Sequence, residues 1–163
     1  MLIDTAYFPV CLSLSIKEVL FDAAGHDPAA FDEHASNLIG RQAISLLLHI
    51  SETLVSARIN VVLEANFRAD LAARDFARFL AATDLRHISC ALETDQVLDR
   101  YVQRLDNEER HPVHVDTGDA DVLAAELERK DYGPIPLPMP TLIVRTDNGF
   151  APPLEEIVAF CRQ

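Results

Sequence analysis

Segments of strand length alternate with segments of helical period along nearly the whole of this chain, and that alternation restricts the fold. It is the signature of βαβ units arranged around a parallel sheet. The strand candidates are Phe8–Leu12, Ile59–Leu63, Leu85–Leu92 and Thr141–Val144. Between them the apolar period changes from two to between three and four. A short helix, about Ile16 to Ala24, closes at Gly25, and a long one runs from about Ala29 to Ala57. Leu38, Ile39, Ala43, Leu46, Leu47, Ile50 and Leu54 recur along the long helix at threes and fours, and His49 reads as one of its core residues. Ala69–Ala82 forms the next helix, with Leu71, Phe76, Phe79 and Leu80 expected inward. Thr94 can cap another, striped by Val97, Leu98, Tyr101, Val102 and Leu105. Asp119–Lys130 is again helical, and Pro152-Pro153 opens a last helix.

Residues 107–118 are polar and without period. In 133–140, prolines 134, 136, 138 and 140 alternate with apolar residues, which gives an extended linker lying on the domain. At 163 residues the chain suits a single domain with a sizeable core, and no repeat or second domain is legible.

The formal net charge of −12 opposes binding to nucleic acid, whose phosphates would repel such a surface. No apolar run approaches the roughly 20 residues of a membrane span, and Met1-Leu2-Ile3-Asp4 does not read as a signal peptide. Cys11, Cys90 and Cys161 are odd in number and lack CxxC spacing, so reduced core thiols in a cytoplasmic protein are expected.

The chemistry-bearing feature is an acid just past a strand, in Val61-Val62-Leu63-Glu64-Ala65-Asn66-Phe67-Arg68. Open α/β sheets place their ligand crevice at the carboxyl ends of the strands. A carboxylate there can hold a magnesium ion or a water, while the alternative reading of Glu64 is a solvated residue at a strand–loop junction. Arg100 and Arg104 stand four apart on a helix and can face a common anion. They also read as a solvated face paired with Asp99 and Glu108. His111 and His114 flank Pro112 and have no third ligand at zinc spacing, which leaves them as mobile loop residues able to charge near neutral pH. His87, Ser89 and Cys90 make no nucleophilic arrangement, because Cys90 points to the opposite face.

Several segments together resemble the small-molecule kinase-like ATP-binding proteins of the P-loop fold, relatives of polynucleotide kinase, zeta toxin and chloramphenicol phosphotransferase. Val61–Phe67 is similar to the family's valine-rich strand followed by Glu-Gly-Asn-Phe. Arg100, Tyr101, Arg104 and the run Glu109–Asp116 are similar to its arginine-bearing lid, Pro138–Asp147 to its last strand and turn, and Ser15–Asp22 to the helix after its second strand. The resemblance covers nearly all of the chain. It implies a three-layer α/β domain and ATP-dependent phosphotransfer to a small hydroxyl substrate, with magnesium. Glu64 would hold the metal through water or position the acceptor. Asn66 and Arg68 would line the acceptor pocket, and Arg100, Arg104 and Arg110 would neutralise the moving phosphoryl group.

The chain also departs from that pattern. It holds no G-x-x-x-x-G-K-[ST] loop, and none of its five glycines falls within the first 20 residues. The resemblance is thus to a kinase lacking its first, central strand and its phosphate cradle. The acid that commonly follows the second strand is missing from Leu12-Ser13-Leu14-Ser15, and Arg145 stands where an acid often precedes Thr. Two expectations follow: a phosphotransferase inactive as these 163 residues stand, or a degenerate binding or scaffolding domain. Loss of the central strand in a 2-3-1-4-5 order also predicts one of two outcomes. The strand around Val62 pairs with the one around Ile88, or a second copy of the chain covers the edges as a homo-oligomer.

Overall fold

The computed structural model describes residues 9–107, 110–115, 119–129 and 132–163, leaving aside the side chains of 105–107. Met1 to Asp4, Phe8, Glu108, Glu109, Asp116 and Lys130, named above, lie outside the described residues. The described chain divides into two compact units, one from residues 9–66 with 110–115 and the other from 67–107, 119–129 and 132–163.

In the first unit, β1 (Val10–Leu12) passes directly into α1 (Ser13–Ala24), and α2 (Glu33–Ser56) leads to β2 (Val62–Glu64). The two strands pair in parallel, with Val10 opposite Val62 and Leu12 opposite Glu64. A parallel pair needs such a helical crossover, and here α1 and α2 supply it. Gly25 ends α1 in the left-handed region (φ 66°), giving its N–H to the Asp22 carbonyl at 3.1 Å.

The long helix expected from Ala29 is interrupted. Asp27 accepts from the Ala29 N–H at 3.0 Å, opening a 3-10 turn over Pro28–Ala30. Phe31 is extended, and Asp32 then caps α2 by accepting from the Ala35 N–H at 2.8 Å. Two aspartate caps, Asp27 and Asp32, placed ahead of the apolar stripe, override the helical period. At its far end α2 closes in a Schellman arrangement. Arg58 N–H donates to Val55 O and Ile59 N–H to Leu54 O, both at 2.9 Å. This leaves Arg58 at φ 59°, an unusual place for a residue with a Cβ.

The buried stripe of α2 is Ser36, Ile39, Ala43, Leu47, Leu48 and Ser51. It is rotated from the expected stripe: Leu38 and Leu46 are 42% and 38% exposed. His49 is exposed as well, so it is not a core residue. The cause is that small serines face the packing partner. Ser51 satisfies its hydroxyl on the Leu47 carbonyl at 2.6 Å, and that makes its burial inexpensive. Phe21, Ile39 and Val113 form a buried cluster, with Leu20 and Phe31 packed against it.

The second unit holds α3 (Ala69–Phe76), β3 (His87–Ala91), α4 (Thr94–Asn107), α5 (Ala120–Arg129), β4 (Thr141–Arg145) and α6 (Leu154–Arg162). Strands β3 and β4 pair in parallel over five residues, from His87 opposite Thr141 to Ala91 opposite Arg145. The helix expected over Ala69–Ala82 tightens to a 3-10 turn at 77–79. Its buried face is Ala69, Ala72 and Phe76, while Leu71 is outward rather than inward. Thr94 is the first residue of α4 and not its cap. In 133–140 there is no helix or strand, and Ile135 is buried.

Each strand finds its partner within its own unit, β1 with β2 and β3 with β4. Cys90 is exposed and Cys11 and Cys161 half-buried; all three are free, but none is a core thiol. No helix of the described residues is long and apolar enough to cross a membrane.

Candidate functional site

In the first unit the candidate residues gather after β2. The parallel register sets Glu64 opposite Leu12, at the carboxyl ends of both strands. Glu64 and Asn66 are exposed. An exposed carboxylate at a strand's carboxyl end is open to a cation or a hydroxyl. Its lone character sets the limit on metal binding. Among the described residues no group of three or more His, Cys, Asp or Glu is placed to hold an ion. Magnesium needs only one or two carboxylates when phosphates and waters complete its shell. Glu64 therefore fits a water-mediated magnesium contact only alongside a phosphate-bearing substrate.

Arg110 is half-buried and begins a segment that is bound to α1 rather than free. His111 Nε2 lies 3.2 Å from Asp22 Oδ1, and His114 Nε2 lies 3.0 Å from Glu18 Oε1. Asp22 and Glu18 are four apart and share one face of α1. The expectation of mobile loop histidines is corrected here. Burial pushes His114 below the usual histidine range, the Glu18 hydrogen bond opposes that shift, and the Lys17 and Arg110 charges reinforce it.

In the second unit the candidates are arginines. Arg68 precedes α3 and pairs with Asp70 at 2.9 Å, with its Nε buried and without a hydrogen bond. Arg100 and Arg104 are both exposed on α4 but turn to different partners. Arg100 donates to the Thr146 carbonyl, and the Arg104 guanidinium stands 5.7 Å from the centre of the Tyr101 ring. Neither contact involves an anion, so the two guanidiniums are not drawn to a common point here.

The Thr146 contact belongs to a polar cluster at the carboxyl ends of β3 and β4. Arg145 Nε is 3.2 Å from Asp147 Oδ1 and its Nη1 is 3.5 Å from Glu93 Oε1. The Thr146 N–H continues the strand pairing to the Ala91 carbonyl at 3.1 Å. Arg145 and Ala151 exchange two backbone hydrogen bonds, at 2.8 and 3.0 Å, which close the turn between them. The Arg145 hydrogen bond holds the Asp147 carboxyl below the usual carboxylate range. Sequence reading marked Arg145 as a substitution and missed its partners. Asp147 two residues on was the available signal; Glu93 was not, because the β3–β4 pairing brings it close.

No protein-family model matches the chain, and no curated protein does. A solved structure does resemble it: a protein described as a "putative kinase" from Chloroflexus aurantiacus J-10-fl. The two are 29% identical with a TM-score of 0.74, over 96% of this chain and 83% of that one. The chain thus has a kinase-like α/β fold, with small parallel sheets flanked by helices.

Proposed function

We propose that this chain is part of an ATP-dependent phosphotransferase acting on a small hydroxyl substrate, within the P-loop kinase-like family. We propose further that the 163 residues do not transfer phosphate unaided. The observation that carries the reading is the 29% identity to the described kinase across 96% of the chain. The strand-end acid, the α4 arginines and the kinase-like fold are mutually consistent with it.

In this reading Glu64 accepts the acceptor hydroxyl's proton or orients that hydroxyl, and it is the residue suited to a water-mediated magnesium contact. Asn66 binds the acceptor by hydrogen bonding, and Arg68 does so through its guanidinium. Arg100, Arg104 and Arg110 each neutralise charge on the phosphoryl group, for which Arg100 would exchange the Thr146 carbonyl for an anionic oxygen. When bound, magnesium would supply charge neutralisation between phosphate oxygens. Positioning of ATP phosphates calls for a backbone cradle and lysine, and no G-x-x-x-x-G-K-[ST] occurs in the 163 residues.

The test starts from the codons upstream of Met1. If they encode a strand followed by that loop, the extended protein is assayed with labelled ATP against small alcohols, sugars and nucleosides. Transfer is expected, and Glu64→Gln should lower kcat about 100-fold or more. Transfer unaffected by Glu64→Gln would remove Glu64 from the chemistry.

A second reading, a degenerate binding or scaffolding domain, is favoured by two observations. Leu12 runs straight into α1 at Ser13, where an acceptor-orienting acid would stand, and Arg145 is tied to Glu93 and Asp147. An extended protein that binds magnesium-ATP and transfers nothing would support this reading over the first.

A further inference from the structure

We propose that Asn148 is a site of spontaneous modification, where the side-chain amide is lost and the residue becomes aspartate or isoaspartate through a cyclic imide closed by Gly149. The inference goes beyond the functional reading above and does not depend on it.

Asn148-Gly149 is the single Asn-Gly pair of the sequence. It lies in the loop that follows β4, and both residues are exposed. The loop is tied at its base and open at its tip. Arg145 and Ala151 exchange backbone hydrogen bonds at 2.8 and 3.0 Å, and the Thr146 N–H donates to the Ala91 carbonyl at 3.1 Å. Among the described residues neither the Asn148 side chain nor the Gly149 N–H makes a hydrogen bond. Gly149 takes a left-handed conformation (φ 83°), and a Cβ built on it would meet nothing within 4 Å. The attacking nitrogen and the carboxamide thus stand on adjacent residues, with open space around the glycine.

The chemistry needs only these groups and water. The Gly149 nitrogen attacks Asn148 Cγ, so that a new N–Cγ bond closes the imide ring and the Cγ–Nδ2 bond breaks. Ammonia leaves, carrying the proton that the Gly149 amide gives up. Water then opens the ring at one of its two C–N bonds. Opening at Cγ leaves aspartate. Opening at the Asn148 backbone carbonyl routes the chain through Cγ and leaves isoaspartate. Attack between neighbouring residues needs no encounter, and glycine sets no Cβ in its path. Asn60 and Asn66 are exposed as well, but Val61 and Phe67 follow them. Their Cβ atoms crowd the same approach, so the two residues serve as an internal comparison.

The product alters the charge and the length of the loop. Arg145 is paired with Asp147 and Glu93, and the Arg100 charge also acts on Asp147. A carboxylate at position 148 adds a negative charge one residue from Asp147. Isoaspartate also adds one backbone atom between the paired residues Arg145 and Ala151.

The experiment is incubation of the protein near neutral pH, followed by tryptic mass spectrometry with an unincubated sample as the baseline. Peptide 146–162 holds Asn148 and no other Asn or Gln, and peptide 59–68 holds both comparison residues. Enzymatic carboxyl methylation of the peptides reads isoaspartate. Asn148 should convert on the order of tenfold or more faster than Asn60 and Asn66 together, because it alone of the three precedes a residue without a Cβ. Part of the product should be isoaspartate. Unfolding in urea should speed the conversion by less than about tenfold, because the Gly149 amide is already open in the folded loop. A smaller margin over Asn60 and Asn66 would overturn the proposal. So would a product free of isoaspartate, which is direct hydrolysis, or a greater acceleration in urea, which would mean that the folded loop protects Asn148.

Discussion

Ser36 Oγ donates to the Val113 carbonyl at 2.7 Å across a sequence separation of 77 residues, and both partners are buried. This bond satisfies the carbonyl that the buried Val113 carries into the interior of the first unit. Ser36→Ala removes the donor and also the acceptor used by Lys17. A buried carbonyl left without its partner costs about 1–3 kcal/mol. Urea denaturation followed by circular dichroism should show a loss in that range, and no change in midpoint would mean that the bond is not formed in solution.

Leu46 and Leu47 are adjacent on α2 yet face opposite environments, 38% and 0% exposed. Leu47→Ala should destabilise by about 2–5 kcal/mol, through lost burial and the cavity left behind. Leu46→Ala should change stability by less than about 1 kcal/mol. Equal losses in thermal melts of the two variants would contradict the rotation of the α2 face.

Arg58 occupies the left-handed position of the Schellman arrangement at the end of α2. A residue with a Cβ is strained there, and glycine is not, although glycine also loses more backbone freedom on folding. Arg58→Gly should raise stability by about 0.5–1 kcal/mol. A lower melting temperature in the variant would show that the Arg58 side chain contributes more than its backbone costs.

The ion pair at the end of β4 is open to titration. The Arg145 hydrogen bond keeps the Asp147 carboxyl below its ordinary value of 3.8. A carboxylate so held contributes stability that is present above the ordinary value and lost as the pH falls through the lowered one. Arg145→Gln should move the Asp147 carboxyl titration, read by carbon-13 shifts, upward toward 3.8. An unmoved midpoint would assign the effect to other contacts.

Much of the fold was legible because parallel α/β chains announce themselves through period changes. All four strands and the helices between them lie where apolar spacing puts them, within a few residues. The errors have local causes. The interruption at Phe31 was written in Asp27-Pro28 and Asp32, two capping signals outweighed by the apolar stripe beginning at Leu38. His49 and Leu71 were drawn inward by apolar neighbours, whereas α2 buries serines and α3 buries alanines. At the candidate site, local sequence sufficed to name the acid after β2. It gave no hint that His111 meets Asp22 or His114 meets Glu18, contacts that span 89 and 96 residues. Such pairs depend on tertiary docking and leave no periodic trace.

This kinase-like chain is proposed not to hold the phosphates of ATP unaided. Titration calorimetry of these 163 residues with magnesium-ATP tests it most directly. The account predicts no saturable heat at micromolar concentration, consistent with a Kd weaker than about 1 mM. A Kd in the micromolar range would contradict it, because some part of the 163 residues would then hold the phosphates unaided.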